Sequence, residues 1–243
     1  MFMTKKIIID PAFWELFPEA HIEILFAKGI DNHVDESKKA HFQKMLSAAE
    51  DEAEPFIEVD PFRKNPVIAE WRDAFTKFKT KKGARSSIEA LLKRVSQGHE
   101  FTPIIPLVDI YNSISLKYAV PVGGETIAKI DGNLHLGVAK GGEPFWPLGA
   151  EEDSPALPGE VIYYDDTGAV CRCFNWREAQ RTMLTEETTE TVLVIESVTE
   201  DGAKRAKDAV QELKQLVDAE FSTTGVIHEL TKDNQEVDVQ FED

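Results

Sequence analysis

Apolar residues recur along this chain in two rhythms, helical and alternating, and the places where the rhythm breaks mark its elements. Ile7-Ile8-Ile9 predicts a short strand. Asp10-Pro11 then predicts a helix start, a cap followed by proline at the first helical position, ahead of Phe13, Trp14, Leu16 and Phe17. Ile22 to Ala27 reads as a buried strand ending at Gly29. Phe42, Met45, Leu46 and Ala49 fall at helical intervals between Ser37 and Glu52, and another helix is expected from Asn65-Pro66 with Ile68, Trp71, Ala74 and Phe75. Ser86 and Glu89 have the spacing of a capping box, and the stripe Ile88, Leu91, Leu92 and Val95 behind them stops at Gly98.

From Pro106 the positions Leu107, Ile110, Tyr111 and Ile114 predict a further helix, closed by Val120-Pro121 and the Gly123-Gly124 pair. The chain then changes to strands. Asp131-Gly132, Gly141-Gly142 and Asp166-Thr167-Gly168 separate runs at 134–140, 160–165 and 169–174, which is the pattern of antiparallel hairpins. A helix is expected over 177–184, a buried strand at Val192 to Ile195, and a long helix over 201–221 with Ala206, Ala209, Val210, Leu213, Leu216 and Val217 on one face. The pattern implies an α+β fold with an antiparallel or mixed sheet flanked by helices. Residues 1–80 read as an N-terminal α/β segment packing on a core of 81–225, and 226–243 as an acidic tail that is either a frayed strand or disordered.

Composition narrows the partners more than the fold. With 44 acidic against 27 basic side chains the formal charge is −17, which argues against broad electrostatic attachment to DNA or to an anionic membrane surface. A polyanionic partner must dock on a local basic patch. The stretch of Lys77, Lys79, Lys81, Lys82 and Arg85, with no acid between Ala74 and Ile88 and with Lys93 and Arg94 beyond, is the one candidate; the same run also suits a solvated loop. Met1 to Lys6 leads into only three isoleucines, too short for a signal peptide. No window holds about 20 apolar residues, so no membrane-spanning helix is expected. The two cysteines, Cys171 and Cys173, are too few for a disulfide framework or for a metal site on their own. A cytoplasmic protein without metal or cofactor is the expectation.

The order of motifs then carries a resemblance. A helix with Val108-Asp109-x-x-Asn112, Pro121 ahead of the short segment Ile127 to Ile130, and a strand ending in Ala139-Lys140-Gly141-Gly142-Glu143 resemble the B3/B4 domain of the phenylalanyl-tRNA synthetase beta chain. The matching family segments are a Val-Asp-x-x-Asn helix, a Gln-Pro-Met-His turn and an Ala-Lys-x-Gly-Glu strand end. The resemblance covers roughly Lys82 to Ser197 and brings none of the synthetase's aminoacylation motifs, so a freestanding B3/B4-like tRNA-binding protein is implied. In the synthetase this domain hydrolyses the ester of tyrosine wrongly attached to the tRNA for phenylalanine. The resemblance therefore implies a pocket for the 3′ aminoacyl end of a tRNA, with deacylation of mischarged tRNA or non-catalytic binding of tRNA or an amino-acid-like ligand as the two functions to separate. Two departures stand out: the family's turn histidine falls at Gly123, and its editing glutamate falls near Arg181.

Candidate site residues follow from both readings. Asn112, an amide on an apolar helix, either holds a substrate carbonyl or amine or satisfies a buried backbone group, and Asp109 one turn earlier either joins it or caps. Gly123 and Gly124 either offer backbone donors to a developing oxyanion or simply turn the chain. Glu143 either binds an α-amino group or is an isolated turn acid. Arg172, Asn175, Trp176, Arg177 and Glu178 form the densest polar and aromatic cluster, where an arginine suits a terminal phosphate or ribose and a tryptophan suits the terminal adenine. The same five residues also fit a plain junction with an Arg177–Glu178 ion pair. Lys79, Lys81, Lys82 and Arg85 are the candidate tRNA docking residues.

Overall fold

The structure, a computed structural model, describes residues 4–242; Met1 to Met3, the start of the segment read for a signal peptide, and Asp243 lie outside it. The chain runs β1 (Lys6–Ile9), α1 (Pro11–Leu16), β2 (His21–Lys28), α2 (Lys39–Ala53), α3 (Pro66–Ala74), α4 (Ser87–Ser96) and α5 (Pro106–Tyr118). It continues through β3 (Val122–Thr126), β4 (Leu134–Val138), β5 (Val161–Tyr164), β6 (Ala169–Arg172), β7 (Arg177–Glu178), β8 (Glu190–Ser197), α6 (Glu200–Phe221), β9 (Val226–Leu230) and β10 (Glu236–Asp238). Local chemistry explains most starts. Proline opens α1, α3 and α5, and the Ser86 hydroxyl accepts the Glu89 amide at 3.2 Å to start α4. Asn65 instead ties the preceding loop, donating to the carbonyls of Val59 and Phe62.

The strands form two sheets. One has the order β10-β1-β4-β5-β6-β7 and is mixed, because β1 runs parallel to β4 with Ile7 opposite Leu134; the other, β3-β8-β2-β9, is wholly antiparallel. β2 and β8 are buried on both faces and sort their side chains by period two. Ile22, Ile24, Phe26, Val192 and Val194 share one core with Ile7, Ile9, Leu136 and Val170 of the mixed sheet. Leu25, Leu193 and Ile195 face a second core under α5 and α6, with Ile110, Ile114, Val210 and Leu213.

Four expectations change. The Gly123-Gly124 pair is not a turn but the middle of β3, the strand that lies at one edge of the antiparallel sheet and pairs with β8. Residues 177–184 are not a helix: β7 pairs with β6, and the chain then turns through a bridge between Ala179 and Pro147. The segment 226–243, read as an acidic tail, enters both sheets over its described residues, β9 beside β2 and β10 beside β1, with Leu230 fully buried. The N-terminal segment likewise supplies interior strands of both sheets rather than an appended layer.

One local feature positions the site. Cys173 and Phe174, directly after β6, are both left-handed, with φ of 50° and 56°, at a cost of about 1–2 kcal/mol each for residues other than glycine. The two cysteines therefore do not share a strand face, although both are buried free thiols. Phe174 is fully buried within a ring of Phe13, Phe17, Trp71, Phe75 and Phe78, all with centroids 5.3–6.1 Å away. Burying such a ring contributes about 1.5–3 kcal/mol and each aromatic pair about 0.5–1.5, enough to hold the strained turn. Its consequence is that Phe174 points inward while Asn175 to Glu178 swing out toward α4 and α5.

Candidate functional site

That swing creates a cleft of about 330 Å³ between α4, α5, the start of β3 and the turn into β7. Ser87, Ala90 and Leu91 form one wall, Tyr111 and Asn112 the second, and Asn175, Trp176, Arg177 and Glu178 the third. Five residues singled out in the sequence thus meet across a sequence distance of more than sixty positions. The Asn112 side chain bonds to no other described residue, and the Asn175 amide nitrogen is buried without a partner. The Arg177 guanidinium lies over the Trp176 ring, 5.2 Å from its centroid, which joins the two in one cationic, aromatic face.

Below the cleft sits a group of acids. Glu178 lines the wall, and burial raises its carboxyl to about 7. Glu125, on β3 and buried, is pushed well above the usual carboxylate range first by burial and then by the charge of Glu178; the Cys171 thiol donates to its Oε1 at 3.1 Å. Glu196, on β8, is raised by burial to about 8, with the Tyr163 hydroxyl and the Asn175 backbone amide pulling the other way. Tyr111 is pushed up by burial and by Glu178 and Glu125. The cleft therefore presents a carboxyl able to exchange a proton near neutral pH beside two amides, that of Asn112 and the buried one of Asn175, whose bonding capacity the protein leaves unused.

Other candidates have structural employment. Arg172 is 2% exposed; its Nε and Nη2 bond both oxygens of buried Glu160 at 2.7 and 2.5 Å, and Nη1 bonds the Ser154 carbonyl at 2.7 Å. Four of its five N–H donors are engaged inside the protein, and its burial closes it to a ligand phosphate in this arrangement. Glu143 closes its own loop, accepting the amides of Lys140 at 2.7 Å and Gly141 at 3.0 Å, and is not in the cleft wall. Asp109 accepts the Ile104 amide at 2.8 Å ahead of α5 and is raised to about 6 by burial, so it caps rather than lines the site. Arg181, where the family's glutamate was expected, forks onto Asp165 at 2.7 and 2.8 Å.

The glycines divide their roles. Glu196 donates its amide to the Pro121 carbonyl at 3.1 Å, and the alternation from there puts Gly123 opposite Val194 at a hydrogen-bonded position while the Gly124 amide turns away from β8. The two amides thus point in opposite directions and do not converge on one oxygen. A Cβ on Gly123 would lie 2.6 Å from the Asn175 amide, whereas one on Gly124 would lie 2.5 Å from the buried Leu193 side chain. Gly123 makes room for a cleft residue, Gly124 for the core.

Among the basic residues, Lys79, Lys81 and Lys82 are exposed, with the Lys81 amine donating to the Ser154 hydroxyl at 2.7 Å, and Arg85 faces away from the cleft onto α3. Cleft residues missed in the sequence are Ser87, Leu91, Tyr111 and Leu148, together with Glu125 and Glu196 beneath. The acids had a readable signal: Glu196 follows the run Val192 to Ile195, where an unpaired carboxylate is costly. Among the described residues no three His, Cys, Asp or Glu side chains gather as for a metal ion, and no helix is long and apolar enough to cross a membrane.

Comparison with known proteins bears on this arrangement. The family model for the B3/4 domain matches residues 70–222, which include every wall of the cleft. No curated protein matches the sequence. Among solved structures, an N-terminal fragment of the phenylalanyl-tRNA synthetase beta-subunit from Pyrococcus horikoshii is similar over 99% of this chain, with a TM-score of 0.51 at 13% identity. The chain spans 56% of the length of that fragment.

Proposed function

Because the chain belongs to the B3/4 domain family, we propose that its cleft receives the 3′ aminoacyl end of a tRNA and hydrolyses the ester of a wrongly attached amino acid, in the cytoplasm where charged tRNA is used. The observation that carries this reading is the meeting of two unpartnered amides, a stacked Trp176–Arg177 face and a carboxyl titrating near neutrality in a cleft of about 330 Å³. That volume lies at the small end of ligand pockets.

In the proposed step Trp176 stacks on the terminal base and Arg177 meets the ribose or phosphate beside it. Asn112 and Asn175 bond the aminoacyl group, and an Asn amide supplies a donor to the oxyanion that the glycine pair does not offer. Glu178, ionised, takes a proton from a water molecule as the water oxygen bonds the ester carbonyl carbon. The bond from that carbon to the ribose oxygen then breaks, the ribose oxygen takes the proton back, and free amino acid and tRNA leave. The opposed glycine amides favour a second reading, a module that binds tRNA or an amino-acid-like ligand without hydrolysis.

A panel of aminoacylated tRNAs incubated with the purified chain separates the two. Hydrolysis is expected for at least one, with a rate that rises with pH through about 7, and Glu178→Gln is expected to lower it about 10²–10⁴-fold while binding of uncharged tRNA persists. Release of amino acid from none of them leaves the binding module as the function.

A further inference from the structure

The face of α4 turned away from the cleft borders a groove that the hydrolytic step does not use. Ser87, Ala90 and Leu91 point into the cleft, whereas Glu89 and Lys93, about half a turn round the helix, point to the other side. There a hollow of about 460 Å³ lies between the turn at Phe62–Arg63, α3 and α4, and it runs on into a second of about 340 Å³ toward Gly83 and Ala84, sharing Arg72, Arg85 and Glu89.

Its side chains are cationic on a chain that is otherwise acidic. Arg63, Arg72, Arg85 and Lys93 face two acids, Asp60 and Glu89. Glu89 is already held by Arg72, through Nε at 3.1 Å and Nη2 at 2.7 Å. Arg63 and Arg85 have no carboxylate partner among the described residues, and the Lys93 ammonium is held 4.7 Å over the Phe62 ring. A chain of net charge −17 repels anions over most of its surface, so an unneutralised arginine pair in a groove is the place where an anion gains most. The planar guanidinium fork matches phosphate oxygens two at a time.

We propose that this groove binds the phosphodiester backbone of the tRNA whose 3′ end enters the cleft, with Arg63, Arg85 and Lys93 as the phosphate ligands. The proposal rests on the tRNA reading above and adds its docking surface. Groove and cleft are separated by the width of one helix, about 10 Å, so an RNA strand crossing the start of α4 reaches both. The docking site thus extends from Arg85 toward Arg63, rather than along Lys79 to Lys82.

The test is binding of unfractionated uncharged tRNA to the full chain between 50 and 200 mM salt, for the wild type, the triple variant Arg63→Gln/Arg85→Gln/Lys93→Gln, and a control of equal charge change, Lys44→Gln/Lys204→Gln/Lys232→Gln. Three lost phosphate contacts reduce the logarithmic salt slope by about 2.7, so this salt increase is expected to weaken the wild type about 40-fold more than the groove variant. The control is expected to keep the wild-type slope. Thermal melting checks folding, and the single variants Arg63→Gln and Arg85→Gln, each expected to lower the slope by about 0.9, stand in if the triple variant does not fold. A groove variant with wild-type affinity and slope overturns the groove and leaves the tRNA reading intact. Absence of wild-type binding at every salt concentration overturns both.

Discussion

Replacing Arg172 by methionine removes the guanidinium from a site where it is 2% exposed and leaves the Glu160 carboxylate, 0% exposed, without its two shortest hydrogen bonds. The Ser154 carbonyl and hydroxyl lose a donor as well. Removing one partner of a buried ion pair costs about 3–5 kcal/mol, because the remaining charge stays desolvated and uncompensated. For a chain of this size 1 kcal/mol moves the melting temperature by about 2–4 °C, so a fall of roughly 6–20 °C is expected. The double variant Arg172→Met/Glu160→Met removes both charges and keeps apolar volume, and such replacements are close to neutral or stabilising. It is expected to regain most of the lost stability. Thermal or denaturant unfolding of the wild type, both single variants and the double variant completes the cycle, with tRNA binding measured on whichever variants are folded. A loss below about 1 kcal/mol for Arg172→Met, or a double variant no more stable than the single, would refute a structural role for the pair. Retained stability together with lost tRNA binding would return Arg172 to the ligand.

Two further outcomes follow from the same geometry. Gly123→Ala pushes only the movable end of Asn175, so its stability is expected to stay within about 1 kcal/mol while ligand binding in the cleft weakens; Gly124→Ala crowds Leu193 in the core and is expected to cost about 1–3 kcal/mol, and equal effects in unfolding and binding assays would contradict the division. Burial holds Glu196 at about 8 against an ordinary 4.5, so between those values the folded chain keeps a proton that the unfolded chain has lost and stability falls as pH rises; Glu196→Gln is expected to remove about 3–5 kcal/mol of that fall between pH 4.5 and 8 in unfolding titrations, and an unchanged pH slope would show that Glu196 ionises normally.

Much of the fold was legible because its signals are local. The Ser86 cap, the prolines at the starts of α1, α3 and α5, and the apolar runs of β2 and β8 report backbone chemistry within a few residues, and each produced its element. The resemblance also held at the level of family and fold, and the cluster from Asn175 to Glu178 does meet Asn112 in one cleft. The glycine pair failed as a turn because residues without side chains carry no alternation, so only pairing with β8 shows that they lie in a strand.

What the sequence determined by itself, then, was where helices and strands begin, that the chain is acidic with one basic stretch, and which residue types cluster near Trp176. Only the tertiary structure decided which of those residues line the cleft. Arg172 and Arg177 are both arginines beside the same turn, yet one forks onto Glu160 across the β5–β6 hairpin and the other lies open on Trp176. The difference arises from the left-handed turn at Cys173 and Phe174, held by aromatic partners drawn from α1, α3 and the segment after α3. Those contacts are distant along the chain and close in space, and no local pattern encodes them.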